Sequence, residues 1–263
     1  MPVRALALAA AVFAALTVSA CAGRKPPNPD YDPWEPLNRK VFWFNDKADD
    51  YVLVPVAKGW NYVVPDRAQK CISNFFNNLL FPVVFVNDLL QWKPRRAVES
   101  VARLQINTFI GGLGLFDVAD EFGVPPQDED TGQTFGLWDI ANGPYLVLPL
   151  LGPSSVRDGF GLAGDAALGF YTYFITVPGV TLGATAVNVV NERSRLLDVV
   201  KKAKEASLDY YSFVRNAYIQ YRWKQINDQI GAGESYQKLG LQPEDDLYNE
   251  EIYENYLEHG DTP

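Results

Sequence analysis

Between Ala166 and Asn191 the chain runs for 26 residues without a charge, "AALGFYTYFITVPGVTLGATAVNVVN". By length alone this run could cross a bilayer, which takes about 20 apolar residues. Its composition argues against a crossing. A lipid-exposed span could not easily satisfy its backbone around Pro178-Gly179, and Gly183, four threonines and two asparagines interrupt it further. Three placements are open: a true span, helices lying within one leaflet, and a buried core segment. The one-leaflet placement fits the composition best.

The N-terminus points the same way. Arg4 precedes an apolar stretch from Ala5 to Val18, and Ser19 and Ala20 are small. This is the three-part pattern of a secretory signal peptide. Val18-Ser19-Ala20-Cys21 also resembles the bacterial lipobox, in which the cysteine is diacylated and becomes the first mature residue. The alternative is a plain signal peptide followed by a chance cysteine. With Ala22 in place of an aspartate after the cysteine, the resemblance implies retention at the outer membrane. Residues 22–31, "AGRKPPNPDY", form a Pro-rich leash. At about 3.1 Å per residue it reaches only some 30 Å, so the folded body stays near the bilayer its anchor enters. Cys71 then has no partner in the chain, and a disulfide framework is excluded. It is expected to be a small buried residue.

The expected organisation is a signal peptide over residues 1–20, a lipidated leash over 21–31, one helical domain over 32–231 and an acidic tail over 232–263. The formal net charge is −9, and residues 243–263 alone carry eight acids and no Lys or Arg. The body is therefore nearly neutral. It has no basic stripe for nucleic acid. The tail is expected to be solvated, disordered or partly helical chain, with its tyrosines and Leu247 as a possible weak docking segment.

The body reads as mainly α. Asp32, Pro33 and Glu35 have capping-box spacing, although Pro36 shifts the alternative start of the helix to itself. Apolar residues follow at Trp34, Leu37, Val41, Phe44, Ala48 and Tyr51, and Phe42 and Trp43 widen that face beyond one packed stripe. "SNFFNNLL" from Ser73 reads as a capped amphipathic turn, broken at Phe81-Pro82. Pro94 opens a helix to about Ile110, followed by a glycine-rich break over 111–120. Residues 192–208 and 210–230 read as two long helices. "YLVLPLL" is the best short strand.

The chemistry is marked by what is missing. The single histidine, His259, lies in the acidic tail. A Ser-His-Asp triad, a Cys-His pair or a His-based zinc site is therefore not expected. No G-x-S-x-G, P-loop, C-x-x-C or EF-hand loop occurs. "QDEDTGQTFG" reads as a polar turn, with Asp128 and Asp130 as the alternative acid–base pair. No cofactor and no metal are expected, and the chain does not read as an enzyme.

Six blocks carry a resemblance: "DPWEPLNRKVFWFN" (32–45), "SNFFNNL" with "VNDLLQ" (73–79 and 86–91), "GGLGLFDVA" (111–119), "DEDTGQTFG" (128–136), "GPYLVLPLLGPSSVRDG" (143–159) and "VRNAYIQYR" (214–222). In this order they resemble the MlaA/VacJ family of phospholipid-binding outer-membrane lipoproteins. The resemblance implies a ring-like helical disc in the periplasmic leaflet of the outer membrane of a Gram-negative bacterium. It implies an amphipathic channel that takes misplaced phospholipids from the outer leaflet toward a soluble periplasmic lipid carrier. Trimeric porins would associate from the side.

A zwitterionic head crossing an apolar layer needs polar partners. Asn74, Asn77, Asn78 and Asn87 are candidates, with helix capping as the plainer alternative. Asn38 and Arg39 are further candidates, with a structural salt bridge explaining Arg39 equally well. The family's glycine-rich hairpin reads here as Asp139-Ile140-Ala141-Asn142-Gly143. If it gates the channel, this version is expected to be stiffer. Two other functions are carried forward: a structural envelope lipoprotein that scaffolds porins without moving lipid, and a phospholipid hydrolase.

Overall fold

Helix α1 (Glu35–Ala48) starts two residues later than a cap at Asp32 would place it. Trp34 stands at its N-cap and gives no side-chain cap bond. Asp32 is occupied elsewhere: it accepts from Asn38 Nδ2 at 2.9 Å and from the Tyr211 hydroxyl. A computed structural model describes residues 31–169 and 178–227. The leader, Cys21, the leash up to Asp30, residues 170–177 of the uncharged run and the acidic tail lie outside the described residues.

From α1 the helix continues through a π-helical turn, Asp49–Leu53, into α2 (Val54–Val63). Pro55 explains the widened turn. It lacks the N–H that would bond one turn back, and its ring crowds the preceding carbonyls. The turn aims acids at later helices. Asp49 takes Arg193 Nε at 2.6 Å, and Asp50 takes Lys204 Nζ at 2.8 Å.

Helix α3 (Asp66–Leu79) is longer than the turn expected from Ser73. Ser73 lies inside it and accepts from Asn191 Nδ2 rather than capping an end. Helix α4 (Phe81–Leu90) follows after Leu80, because Pro82 is tolerated in a first helical turn. Helix α5 (Pro94–Phe109) agrees with the expected start. The glycine-rich loop then leads into the short α6 (Val118–Glu121). Asp117 holds this loop by a bidentate bond to Arg103 Nη2, both distances 2.7 Å.

Helix α7 (Thr131–Leu137) is capped by Asp130, whose carboxylate accepts from Gln133 N at 2.8 Å. Strands β1 (Tyr145–Leu148) and β2 (Gly152–Ser155) form an antiparallel hairpin, with Tyr145 opposite Ser155 and Leu148 opposite Gly152. The first strand was legible in "YLVLPLL"; the second, "GPSS", carries no β-branched or aromatic signal. Ser155 caps α8 (Val156–Leu168). Helices α9 (Pro178–Arg195), α10 (Leu197–Ala206) and α11 (Tyr210–Asn227) complete the described residues. The break at Leu196 divides what the sequence suggested was one helix over 192–208.

The apolar core is small and aromatic. Tyr145, Val147 and Tyr211 form its centre, with Val41, Phe42 and Tyr218 packed around them. Phe42 meets Tyr211 edge-on at 5.4 Å between ring centroids. Helices α7 and α8 approach closely at Gly161, where an added Cβ would stand 2.5 Å from Gly132 N.

Candidate functional site

The described residues bury ten hydrophobic side chains and eighteen polar or charged ones. In a water-soluble domain that balance runs the other way. Meanwhile large apolar side chains stand outside. Tyr62 is 93% exposed, Trp92 90% and Phe109 83%. Trp43, Phe44, Tyr51 and Val56 are also exposed along α1, the π turn and α2. Ile110, Leu113 and Phe116 add the glycine-rich loop, and Leu150 and Leu151 the tip of the β-hairpin. Val180, Leu182, Val187 and Val189 on α9 are also exposed, so these apolar residues of the uncharged run do not form core. No helix among the described residues is long and apolar enough to cross a membrane.

Polar seams hold these apolar-faced helices together. Between α2, α3 and α9, the fully buried Asn191 donates to Gln69 O at 3.1 Å and Ser73 Oγ at 2.9 Å, and accepts from Trp60 Nε1 at 3.1 Å. Ser194 Oγ donates to Gln69 Oε1 at 3.0 Å. Hydrogen bonding of this kind joins helices where lipid, rather than water, covers the outside.

A second seam joins α7, α8 and α11. Arg222 donates to Asp158 Oδ2 at 3.0 Å and to Asp130 at 2.5 and 3.0 Å. Arg157 Nε donates to Asp158 Oδ1 at 2.9 Å, and the Tyr218 hydroxyl donates to Asp158 Oδ2. Burial pushes both carboxyls up, but Arg222 more than offsets it, with Arg157 helping at Asp158, and both lie below the usual carboxylate range. Burial likewise pulls the Arg222 guanidinium down, and its two carboxylates hold it above its ordinary value. "DEDTGQTFG" is therefore a junction of three helices: Asp130 is committed to the α7 cap and to Arg222. Arg222 and Asp158 were not singled out in the sequence, because their pairing spans 64 residues.

The residues expected to meet a lipid head are not gathered in one place. Asn38 is fully buried and bonds Asp32 Oδ1, Tyr145 O and Val147 N. Asn87 is fully buried as well; it donates to Val83 O at 2.9 Å and Thr131 Oγ1 at 3.4 Å, and accepts from Thr134 Oγ1 at 2.7 Å. Neither has a polar atom open to a ligand in this arrangement. Arg39 is half-exposed and forms the ion pairs that the sequence offered as its alternative, to Glu35 at 2.7 Å and Asp209 at 2.6 Å. It also lies over the Tyr211 ring at 4.4 Å. Bonds to Asp209 and Glu35 raise its already high pKa, and the Arg39 partnership holds Asp209 well below the usual range.

Asn74, Asn77 and Asn78 occupy the last turns of α3. Asn74 donates to Leu115 O at 3.3 Å, Asn78 donates to Thr108 Oγ1 at 3.1 Å, and Asn77 is exposed. Asn77 is thus the asparagine of the set with the most open position. Cys71 is half-buried and free.

Residues 139–143 link α7 to β1. Asp139 holds a left-handed φ of 59°, and Gly143 one of 68°. An added Cβ at Gly143 would lie 3.1 Å from Val156 Cβ. Asn142 O accepts from Arg157 N at 3.2 Å, Ile140 is half-buried and Ala141 is exposed. Just before this link, Trp138 Nε1 donates to Leu90 O at 3.2 Å. Trp138 lines an open cleft of about 330 Å³ with Leu90, Gln91, Trp92, Lys93 and Leu137. No group of acidic, histidine or cysteine side chains among the described residues has the arrangement of a metal site.

The architecture has known counterparts. The profile of the MlaA lipoprotein family matches residues 30–225. The intermembrane phospholipid transport system lipoprotein MlaA of Escherichia coli (strain K12) is 35% identical over 195 residues, covering 72% of this chain and 76% of that protein. Its Haemophilus influenzae counterpart is 32% identical over 226 residues, covering 83% and 89%. A solved chain from work on the structural basis for maintenance of bacterial outer membrane lipid asymmetry superposes with a TM-score of 0.67 at 34% identity. It covers 74% of this chain and 99% of that one. With its helical architecture and most of its length matched, the chain belongs to the MlaA lipoprotein family.

Proposed function

We propose that this protein is an outer-membrane lipoprotein that removes mislocalised phospholipids from the outer leaflet and so maintains lipid asymmetry. The observation that carries this reading is the inverted burial: eighteen buried polar side chains against ten apolar ones, under an exterior rich in exposed aromatics. Such a body is stable where acyl chains cover its outside and Trp and Tyr meet the headgroup level. Anchoring through Cys21 would hold it at the periplasmic leaflet. The names of its relatives place them in phospholipid transport, which supports the same task here.

In this reading the lipid passes through an amphipathic channel within a helical disc and is handed to a soluble periplasmic carrier. Trimeric porins flank the disc. Asn74, Asn77 and Asn78 are the headgroup contacts to test first, since Asn38 and Arg39 are tied into the fold. The segment Asp139–Gly143 gates the path. The protein performs no covalent chemistry and needs no cofactor.

The test is outer-leaflet phospholipid on intact cells of wild type, a deletion strain and Cys21→Ala. A rise in both mutants is expected. No rise in either would overturn the clearing role and favour a scaffold for envelope partners. Fatty acid released by the purified protein would instead point to a hydrolase.

A further inference from the structure

A buried carboxyl on α4 is not used by the lipid-handling surface. Asp88 is fully buried, and its Oδ1 has no hydrogen-bond partner among the described residues. Its Oδ2 lies 2.8 Å from Ser100 Oγ on α5. The same Ser100 Oγ lies 2.8 Å from Gln127 Oε1. The Gln127 amide is oriented by Glu99, which accepts from Nε2 at 3.1 Å, so Oε1 must be the atom that faces Ser100.

One hydroxyl carries one hydrogen. It cannot donate to both oxygens at once. Both short contacts are satisfied together only when one acceptor brings a proton of its own, and Asp88 is the group able to do so. We propose that Asp88, in its neutral carboxylic acid form, donates to Ser100 Oγ, which in turn donates to Gln127, and that this bond is given up when the acid ionises toward neutral pH. The α4–α5 hairpin is then a proton-dependent joint of the domain.

The surroundings support the neutral form. The charged groups that face Asp88 are Glu129 from the loop before α7, Arg96 on α5 and Lys93 at its start. Both cations are spent on one oxygen of Glu129: Lys93 Nζ lies 2.9 Å from Oε1, and Arg96 Nη1 bonds the same atom. Toward α7 and α8, Asp130 is engaged by Arg222 and Asp165 by Thr131. Among the described residues no cation donates to Asp88. Burial is the main cause that pushes its carboxyl up to about 6, and Glu129 adds to it, against smaller downward pulls from the Ser100 bond, Arg96 and Lys93. A neutral acid is also the form that a body placed against lipid shelters at least cost. The inference itself does not depend on the lipid-transport reading.

The folded-state pKa lies above the unfolded value of 3.8. The contribution to stability is full below about pH 4 and is lost as pH rises through about 6. Asp88→Asn keeps the shape and the donor to Ser100 but cannot ionise. The experiment uses the full chain in detergent, with thermal midpoints of wild type and D88N at about pH 4.5 and about pH 7.5. D88N should gain at least about 4 °C on wild type between the two conditions. Carboxyl ¹³C signals of ¹³C-aspartate-labelled wild type should include one that titrates near 6 and is missing from D88N. A constant D88N difference across pH, with no such signal, overturns the proposal. If D88N fails to fold, the wild-type titration decides: that signal must shift in Ser100→Ala, and the lack of any aspartate titrating near 6 also overturns it.

Discussion

Asn38 on α1 holds Val147 on β1 across 109 residues of chain, accepting from its backbone N–H at 3.0 Å. The same amide donates to Tyr145 O at 3.0 Å. One side chain thus imitates a neighbouring strand for β1 and docks the hairpin on the first helix. Asn45 repeats the device about two turns further along the same face of α1, donating to Leu148 O at 2.9 Å and accepting from Leu150 N at 2.8 Å.

Removing the Asn38 amide leaves a buried donor and a buried acceptor of the backbone unpaired. Asn38→Ala should therefore cost about 2–4 kcal/mol of stability. Denaturant unfolding in detergent measures it. A variant as stable as wild type but deficient in lipid clearance would instead make Asn38 a ligand contact.

Gly161 sets how closely α7 and α8 approach. Gly161→Ala places a methyl group about where Gly132 backbone atoms stand, at 2.5 and 2.6 Å. Two backbones must separate, and a loss of about 1–3 kcal/mol is expected. Gly159→Ala, whose nearest neighbour would be Ser154 Oγ at 3.9 Å, is the matched control and should be nearly neutral.

The Arg222 seam predicts a pH dependence opposite in sign to that of Asp88. Asp130 and Asp158 are depressed in the folded state, so their contribution is present above the unfolded value of 3.8 and is lost as pH falls below it. Arg222→Met leaves Asp130 without a cation and Asp158 with Arg157 alone, and should cost about 3–5 kcal/mol near pH 7. The penalty should shrink below about pH 4, where both acids take up protons. A penalty that stays constant with pH would show that packing, rather than charge, makes Arg222 important.

The link over residues 139–143 offers a functional test. Ile140→Gly or Ala141→Gly should loosen the segment and raise the detergent sensitivity of cells that express the protein at normal level. Ala141 is exposed, so its substitution should leave the fold intact. Unchanged sensitivity in both variants would count against a gating role.

Helical class, the helix opening at Pro94, the glycine-rich break and β1 were all legible in the sequence, because each rests on local chemistry. Periodicity, proline geometry and glycine tolerance act within a few residues. The six ordered blocks likewise identified the family. The apolar faces wider than a core needs were visible around Phe42, Trp43 and Phe44, and Trp43 and Phe44 do stand exposed. The tertiary structure alone decided which polar residues face inward. Asp32 reads as a cap and Ser73 as a helix start, yet both are committed to partners more than 100 residues away, Tyr211 and Asn191. Asn38 and Asn87 sit in stretches that suggested ligand contacts, and their amides are consumed inside the fold. The physical reason is that a buried polar atom must be satisfied by whatever the chain brings to it. Local sequence fixes the helix that carries such a residue, but only packing determines the partner it meets.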